Sequence, residues 1–283
     1  MMKSRNLTQT IAFAVLRAVT GVVVIPVVLV IYFLVSHGWH ALSWHFLTSA
    51  PSGDLKNGGI FSPIVGTLYL VGCTIILALP LGLLSAIYLS EYAKPGPITR
   101  LVRLAIVNLA GVPSIVYGLF GYGVFCILLQ LKECILAGSM TLALLILPVI
   151  IVASEEALSV VPHSFREAAM ALGATKWQTT YRIVLPNAVP GILTGSILGI
   201  SRAAGETAPI LFTVAALYMP HLPRSIFDKA MVLPYHLFQI STQVPDCPPE
   251  IQWGTALTLL VIAVGMNVFS SILRVRFRKN RAW

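Results

Sequence analysis

Seven long runs without a charged side chain dominate this sequence, and short clusters of charges separate them. Spanning the hydrocarbon core of a bilayer takes about 20 residues of apolar helix. Hydrophobic residues make up 57% of the chain and charged residues only 10%, whereas a soluble globular protein carries about 25% charged residues. A soluble enzyme, a disordered protein and a coiled coil are therefore excluded. The runs cover residues 18–53, 57–90, 104–131, 134–154, 183–201, 207–223 and 251–273.

These runs predict an all-α polytopic membrane protein. In the strands of a β-barrel, apolar and polar residues would alternate with a period of two. The continuous apolar runs of this chain, such as 21–30, show no such alternation. The first run is too long for a signal peptide and no small-x-small site closes it, so we expect a retained helix. We predict six transmembrane helices, at about 18–37, 64–91, 102–130, 137–158, 187–218 and 253–275.

The distribution of Lys and Arg predicts the orientation. With the N-terminus in the cytoplasm, fourteen of the 19 basic residues fall in inside segments and four in outside segments. The positive-inside rule then places both termini in the cytoplasm. We predict a cytoplasmic segment 1–17, a transmembrane domain 18–275 and a basic cytoplasmic tail 276–283, which lies near anionic lipid and binds no nucleic acid.

One cytoplasmic loop, residues 161–186, carries structure of its own. Ser164 with Glu167 has the spacing of a capping box, and so does Thr175 with Gln178. Gly173 lies between them and suits the left-handed conformation that ends a helix. The loop is thus predicted to be helix, glycine turn, helix. Its simplest role is that of an amphipathic interfacial helix on the headgroups.

The spacing within this loop resembles the EAA loop of ABC-importer permeases. The resemblance implies a type I (MetI-like) permease fold and a helix that docks into a groove on an ATP-hydrolysing subunit, a helix-in-groove contact. The matching coupling residues are Glu167, Ala168, Ala169, Gly173, Ile183, Leu185 and Pro186.

Six further motifs lie within residues 59–215: Gly59-Ile60, Gly66-Thr67-Leu68, Pro80-Leu81-Gly82, Ile87 to Tyr92, Asn108 to Gly118, and Ser201 to Thr213. Together they resemble the phosphate (Pst) importer permeases. The resemblance implies a PstA-type subunit in a bacterial inner membrane. Such a subunit works with a PstC-like second permease, two PstB-like ATPase subunits holding ATP and Mg²⁺, and a PstS-like external phosphate-binding protein.

Arg202 and Glu206 are the charges that fall well inside a predicted span, and burying an Arg there costs about 2.5–3.5 kcal/mol. At i and i+4 they are expected to share a helix face. They form either a structural ion pair or a pathway site in which the planar guanidinium binds a phosphate oxyanion and Glu206 orients it. Polar residues that could line the same pathway are Thr67, Asn108, Ser114, Tyr117 and Thr207. Pro113 and Pro209 are expected to bend their helices.

Several other sites are not expected in this chain. It contains no Gly-x-x-x-x-Gly-Lys-Ser/Thr run, so we predict no nucleotide site, no enzyme activity and no cofactor of its own. His37, His40 and His45 are interpreted as interfacial residues and not as a metal site. Cys134 and Cys247 are treated as free thiols. The alternatives that remain are a permease for another oxyanion, such as molybdate or sulfate, and an ion-coupled secondary transporter.

Overall fold

The computed structural model describes residues 2–219 and 221–279, and most of these residues are helical. The last residues of the predicted basic tail, 280–283, lie outside the described residues. Short π-helical turns extend or join some of the helices, at Tyr88–Tyr92, Tyr122–Leu128 and Thr180–Val184. The helices are α1 (Met2–Gly38), α2 (Trp44–Thr48), α3 (Phe61–Ile87), α4 (Pro97–Ala110), α5 (Ser114–Gly121), α6 (Ile135–Ser159), α7 (His163–Ala171), α8 (Lys176–Thr179), α9 (Leu185–Gly205), α10 (Ala208–Thr213), α11 (Leu233–Thr242) and α12 (Pro249–Lys279).

The number of membrane spans agrees with the sequence prediction. Among the described residues, five helical segments are long and apolar enough to cross a bilayer, and a sixth span results if the bent pair α4–α5 counts as one. The polytopic all-α architecture is therefore confirmed. The five segments are Gln9–Ala41, Phe61–Tyr92, Ile135–Ser159, Lys176–Gly205 and Pro249–Phe269.

The third span is not the continuous helix that the sequence predicted over 102–130. The chain breaks after Gly111, and α4 and α5 meet at an angle of 103°. Pro113 precedes α5 with a ψ of 139°, and proline removes a backbone donor that a continuous helix would need. The expected bend is present, but it is sharp enough to separate two helices.

The fifth span also differs from the predicted range 187–218. Its helix begins eleven residues earlier, at Lys176, and ends at Gly205. Glu206 is extended, with a ψ of 135°, and α10 then begins with Pro209 in its first turn. Proline fits a first helical turn but not a helix interior. The sequence predicted that Arg202 and Glu206 share one face of a continuous helix, but the helix ends before Glu206.

Helices α3, α6 and α9 form the centre of the bundle, and small residues bring α6 and α9 close together. A Cβ at Gly195 would overlap the Cβ of Ala153, and one at Gly191 would lie 2.5 Å from the Cβ of Ala157. Small residues four apart permit this close packing of membrane helices. By contrast, α1 packs mainly against α12, and none of the central part of its span is buried.

The segment that follows α10 folds back over the beginning of α6 and α3. The backbone N–H groups of Cys134 and Ile135 donate to the carbonyls of Thr213 and Asp228, at 3.0 and 2.9 Å. These bonds satisfy donors that the first turn of a helix leaves without partners. The range 219–250, which lies between the fifth and sixth predicted spans, contains a packed helix, α11. Its His236 is buried, and burial lowers the pKa of His236 to about 4.

The same end of the bundle carries a two-stranded antiparallel hairpin, β1 (Pro51–Ser52) and β2 (Asn57–Gly58). All four cysteines are free thiols. Cys134 and Cys247, which the sequence analysis treated as free thiols, are buried in different clusters: Cys134 packs with Phe125 and Cys247 with Leu55. The opposite end holds α7, the end of α3 and the end of α6.

Candidate functional site: the coupling loop and two helix breaks

The loop 161–186, which we call the coupling loop, has the predicted order of helix, glycine turn and helix. Helix α7 ends at Ala171, and Gly173 follows with a φ of +84°. This left-handed conformation favours glycine, because a side chain is strained there whether or not it meets a neighbour. A Cβ at Gly173 would meet no atom within 4 Å, so the backbone conformation alone requires glycine.

One of the two predicted capping boxes is present. Thr175 Oγ1 accepts from the N–H of Gln178, and Gln178 Oε1 accepts from the N–H of Thr175, at 3.3 and 2.9 Å. The prediction for Ser164 was wrong. Helix α7 begins at His163 with Pro162 as its N-cap and without a side-chain cap, so the helix starts two positions too early for Ser164 to be the N-cap.

The coupling residues divide into an exposed group and a packed group. Glu167, Ala168 and Gly173 are exposed, whereas Ala169 lies on the buried face of α7. Leu172, at the end of α7, is 90% exposed. The remaining residues are half-buried at the start of the long fifth helix and anchor the loop to the bundle: Ile183, Leu185 and Pro186.

A charged network that the sequence analysis did not identify fastens the coupling loop to the bundle. Arg166 on α7 contacts Glu91, which follows α3, through Nη2–Oε1 at 2.6 Å and Nε–Oε2 at 3.1 Å. Arg103 on α4 contacts Glu155 on α6 at 2.6 Å. The sequence analysis counted Arg103 and Arg166 only as topology charges and gave neither glutamate a role as their partner. The signal available in the sequence was that opposite charges stand at the ends of neighbouring apolar runs.

The two helix breaks lie against each other. A Cβ at Gly118 in α5 would lie 2.9 Å from the Cα of Pro209 in α10 and 3.1 Å from the carbonyl of Ala208. Only a glycine allows the two backbones to approach so closely. The interrupted third span and the interrupted fifth span therefore form one irregular region within the bundle.

Arg202 and Glu206 lie at this region. Arg202 Nε is 3.2 Å from Glu206 Oε1, and the two side chains are 36% and 16% exposed. Tyr117, in the interrupted third span, donates its hydroxyl hydrogen to the carbonyl of Leu109 at 2.9 Å across the α4–α5 bend. A cation with remaining donors thus faces an irregular, partly open region, an arrangement suited to an anion.

The other predicted pathway residues lie in different surroundings. Ser114 and Thr207 are half-buried at the two breaks, and Asn108 is exposed on the last turn of α4. Thr67 is different: it is 2% exposed, its hydroxyl donates to the carbonyl of Pro63 at 2.7 Å, and it accepts from the N–H of Leu233 at 2.9 Å. The hydroxyl of Thr67 therefore uses both its donor and its acceptor within the protein, and it joins α3 to the start of α11.

Comparison with known proteins assigns the chain to a family. Residues 78–281 match the family described as binding-protein-dependent transport system inner membrane component. The chain is 36% identical to "Phosphate transport system permease protein PstA 1" of Mycobacterium tuberculosis, over 92% of this chain and 85% of that protein. This chain belongs to the PstA permeases of that family.

Other PstA relatives agree. The PstA of Haemophilus influenzae is 30% identical over 86% of this chain and 85% of its own length. "Probable phosphate transport system permease protein PstA" of Methanocaldococcus jannaschii is 32% identical over 93% of this chain and 92% of its own length. PstA permeases are membrane-embedded transport subunits and not enzymes, so the recognition, the multi-pass inner-membrane location and the transport class are confirmed.

Solved structures share the fold. A permease from a bacterial alginate ABC transporter, in complex with an alginate-bound periplasmic protein, aligns with a TM-score of 0.66 and 15% identity, over 91% of this chain and 94% of that chain. A chain of an inward-facing MetNI methionine ABC transporter aligns with a TM-score of 0.59 and 16% identity, over 77% and 97%. The type I, MetI-like fold of this PstA permease is thereby confirmed.

Proposed function

We propose that this chain is the PstA-type permease subunit of an ATP-driven importer of inorganic phosphate. The observation that carries the proposal is the 30–37% identity to PstA permeases over nearly the whole chain. The arrangement of the chain's own residues supports it at two places: the coupling loop, and the helix breaks around Arg202.

The coupling loop is suited to an ATPase partner. Helix α7 presents Glu167, Ala168 and Leu172 on its exposed side. A small residue permits close approach, an apolar side chain can enter a groove, and the carboxylate suits a basic partner. ATP and Mg²⁺ would be bound by the ATPase subunits, and this chain would receive the movement that ATP binding produces.

The helix breaks are suited to an oxyanion pathway. Arg202 keeps donors beyond its single contact to Glu206, and a guanidinium can bond two phosphate oxygens at once. Ser114 and Thr207 add hydroxyl groups at the same breaks. A second, PstC-like permease would complete the pathway, and an external phosphate-binding protein would deliver the anion to it.

Uptake by the reconstituted importer tests the substrate. Proteoliposomes that contain this chain, the second permease, the ATPase and the binding protein should accumulate labelled phosphate when ATP is supplied. Excess unlabelled phosphate should suppress the signal, whereas molybdate and sulfate should not. Suppression by molybdate or sulfate at equal concentration would favour a permease for another oxyanion. Uptake that persists without the ATPase would favour an ion-coupled transporter.

Cysteine labelling tests the orientation. We propose that both termini and the coupling loop are cytoplasmic and that residues 219–250 are external. In a variant without the four native cysteines, Lys229→Cys should react with a membrane-impermeant reagent in whole cells and Lys176→Cys should not. The reverse pattern would overturn the orientation.

A further inference from the structure

Two arginines fasten the coupling end of the bundle in a crossed pattern. Arg166 of α7 donates to the carbonyl of Leu158 at the end of α6, at 2.9 Å, and pairs with Glu91 after α3. Arg103 of α4 donates to the carbonyl of Leu89 after α3, at 2.9 Å, and pairs with Glu155 on α6. We call these four charged residues the arginine clamp: Glu91, Arg103, Glu155 and Arg166.

The chemistry of helix ends explains this pattern. The last carbonyls of a helix have no intrahelical partner, and the negative end of the helix dipole favours a cation. Each arginine satisfies such a carbonyl on one helix and a carboxylate on the neighbouring one. The two arginine side chains thus add polar links between the ends of α3 and α6 and from these ends to α4 and α7, beside the apolar packing of α3 against α6.

The Arg166 side of the clamp is the stronger. Arg166 and Glu91 are 11% and 7% exposed, and Arg166 makes a further bond to the carbonyl of Val161 at 2.6 Å. A paired, two-pronged contact with low exposure is geometrically specific, and a buried charge left without its partner is costly. Arg103 and Glu155 are more open, at 49% and 21%.

Apolar packing contributes little to holding α7. Of its nine residues only Ala169 is buried. A cavity of about 720 Å³ lies between α7 and the ends of the neighbouring helices, and all four clamp residues line it. The position of α7 relative to the bundle is therefore determined by the charged contacts of Arg166 together with the short connections to α6 and α8.

From this geometry we propose that the arginine clamp is the mechanical link of energy coupling: Arg166 and Glu91 position α7 so that α7, α3, α4 and α6 move as one body. The inference rests on the proposed docking of an ATPase at α7. A movement imposed on α7 then reaches α4, and through the α4–α5 break it reaches the region of Arg202. Arg166 and Glu91 act as positioning residues and contact neither ATP nor the transported anion.

The first experiment measures the phosphate transported per ATP hydrolysed by the complete importer in proteoliposomes. Arg166→Lys keeps the charge but loses the two-pronged contact, and Glu91→Gln keeps the shape but loses the charge. Both should retain the copurified ATPase and lower the transport ratio at least about fivefold, the smallest effect typical of coupling between sites. A merely structural role would reduce the amount of complex and leave the ratio unchanged.

Matched controls use exposed residues of the same type. Glu156→Gln alters the carboxylate beside the clamp on α6, and Arg100→Lys alters an exposed arginine on α4, outside the coupling loop. Both should keep the wild-type ratio. An unchanged ratio in the two clamp variants, or loss of the assembled complex in both, would overturn the coupling role and leave the clamp as a scaffold contact.

A second measurement does not depend on phosphate. Spin labels at Ser164→Cys on α7 and Ile98→Cys on α4, both exposed sites, are placed in a variant without the native cysteines. In the protein with the unaltered clamp, the distance between the two labels should be the same with and without ATP. In the Arg166→Lys variant, the distribution of this distance should broaden or shift. A distance that changes with ATP despite an intact clamp would overturn the inference. If the importer with the unaltered clamp took up no phosphate, that result would count against the proposed function and not against the clamp.

Discussion

Two of the arginine–glutamate pairs in the described part of the chain, Arg166–Glu91 and Arg202–Glu206, differ in their surroundings. Arg166 and Glu91 are nearly enclosed and joined by two contacts, and Arg166 also bonds two backbone carbonyls. Arg202 and Glu206 share one contact of 3.2 Å, and a third of the Arg202 side chain is exposed. A fully engaged arginine can hold helices in place, whereas a partly engaged one has donors left for a solute.

The largest expected effect is on stability, at the engaged pair. Arg166→Leu leaves the carboxylate of Glu91 enclosed without a partner, which costs about 3–5 kcal/mol. Arg202→Leu should cost no more than about 1 kcal/mol, because that pair is partly solvated. Thermal unfolding of the purified complexes in detergent measures both. Equal losses in the two variants would remove the distinction between the pairs.

The next effect concerns transport at the partly engaged pair. Replacing both Arg202 and Glu206 by leucine should preserve folding and lower phosphate uptake about 10- to 100-fold, the value of a lost charged hydrogen bond. Arg202→Lys should recover only part of the uptake, because it keeps the charge without the planar donors. Uptake is normalised to assembled complex in the membrane. Wild-type uptake by the double leucine variant would make this pair structural as well.

A third prediction disturbs the coupling end without changing any charge. At Gly173 the φ of +84° makes Gly173→Val strained by about 1–3 kcal/mol. The variant should insert normally but lose about tenfold in uptake, with ATP hydrolysis uncoupled or the ATPase lost. Gly173→Asn, which tolerates the left-handed region, should stay much closer to wild type. Normal uptake by a well-expressed Gly173→Val would count against docking at this loop.

The smallest effect is expected at the capping box. Thr175→Ala removes the hydroxyl that accepts from the N–H of Gln178 and should cost about 1 kcal/mol of local stability. Hydrogen exchange of residues 176–179 should become faster, while uptake stays near wild type because α7 and the arginine clamp are intact. A large loss of uptake would mean that α8, and not the clamp, holds the coupling loop.

The sequence predicted the parts that depend on local chemistry. Apolar runs longer than a bilayer specify helices wherever they stand, since no other open structure satisfies the backbone in lipid. The left-handed turn at Gly173 and the capping box of Thr175 involve residues no more than three apart. Pro113 and Pro209 marked the two interruptions, although the size of the bend at Pro113 was not predictable from proline alone.

The tertiary structure decided which polar side chains are bonded within the protein and which have donors or acceptors left for a solute. Nothing in the local sequence shows that Thr67 is bonded to Leu233, or that Arg166 meets Glu91, because partners 166 and 75 residues away are set by packing. Gly191, Gly195 and Gly199 bring α9 onto α6, while α1, equally apolar, buries none of its central span. In lipid, apolar character only places a helix in the bilayer. Shape and paired polar groups select its neighbours.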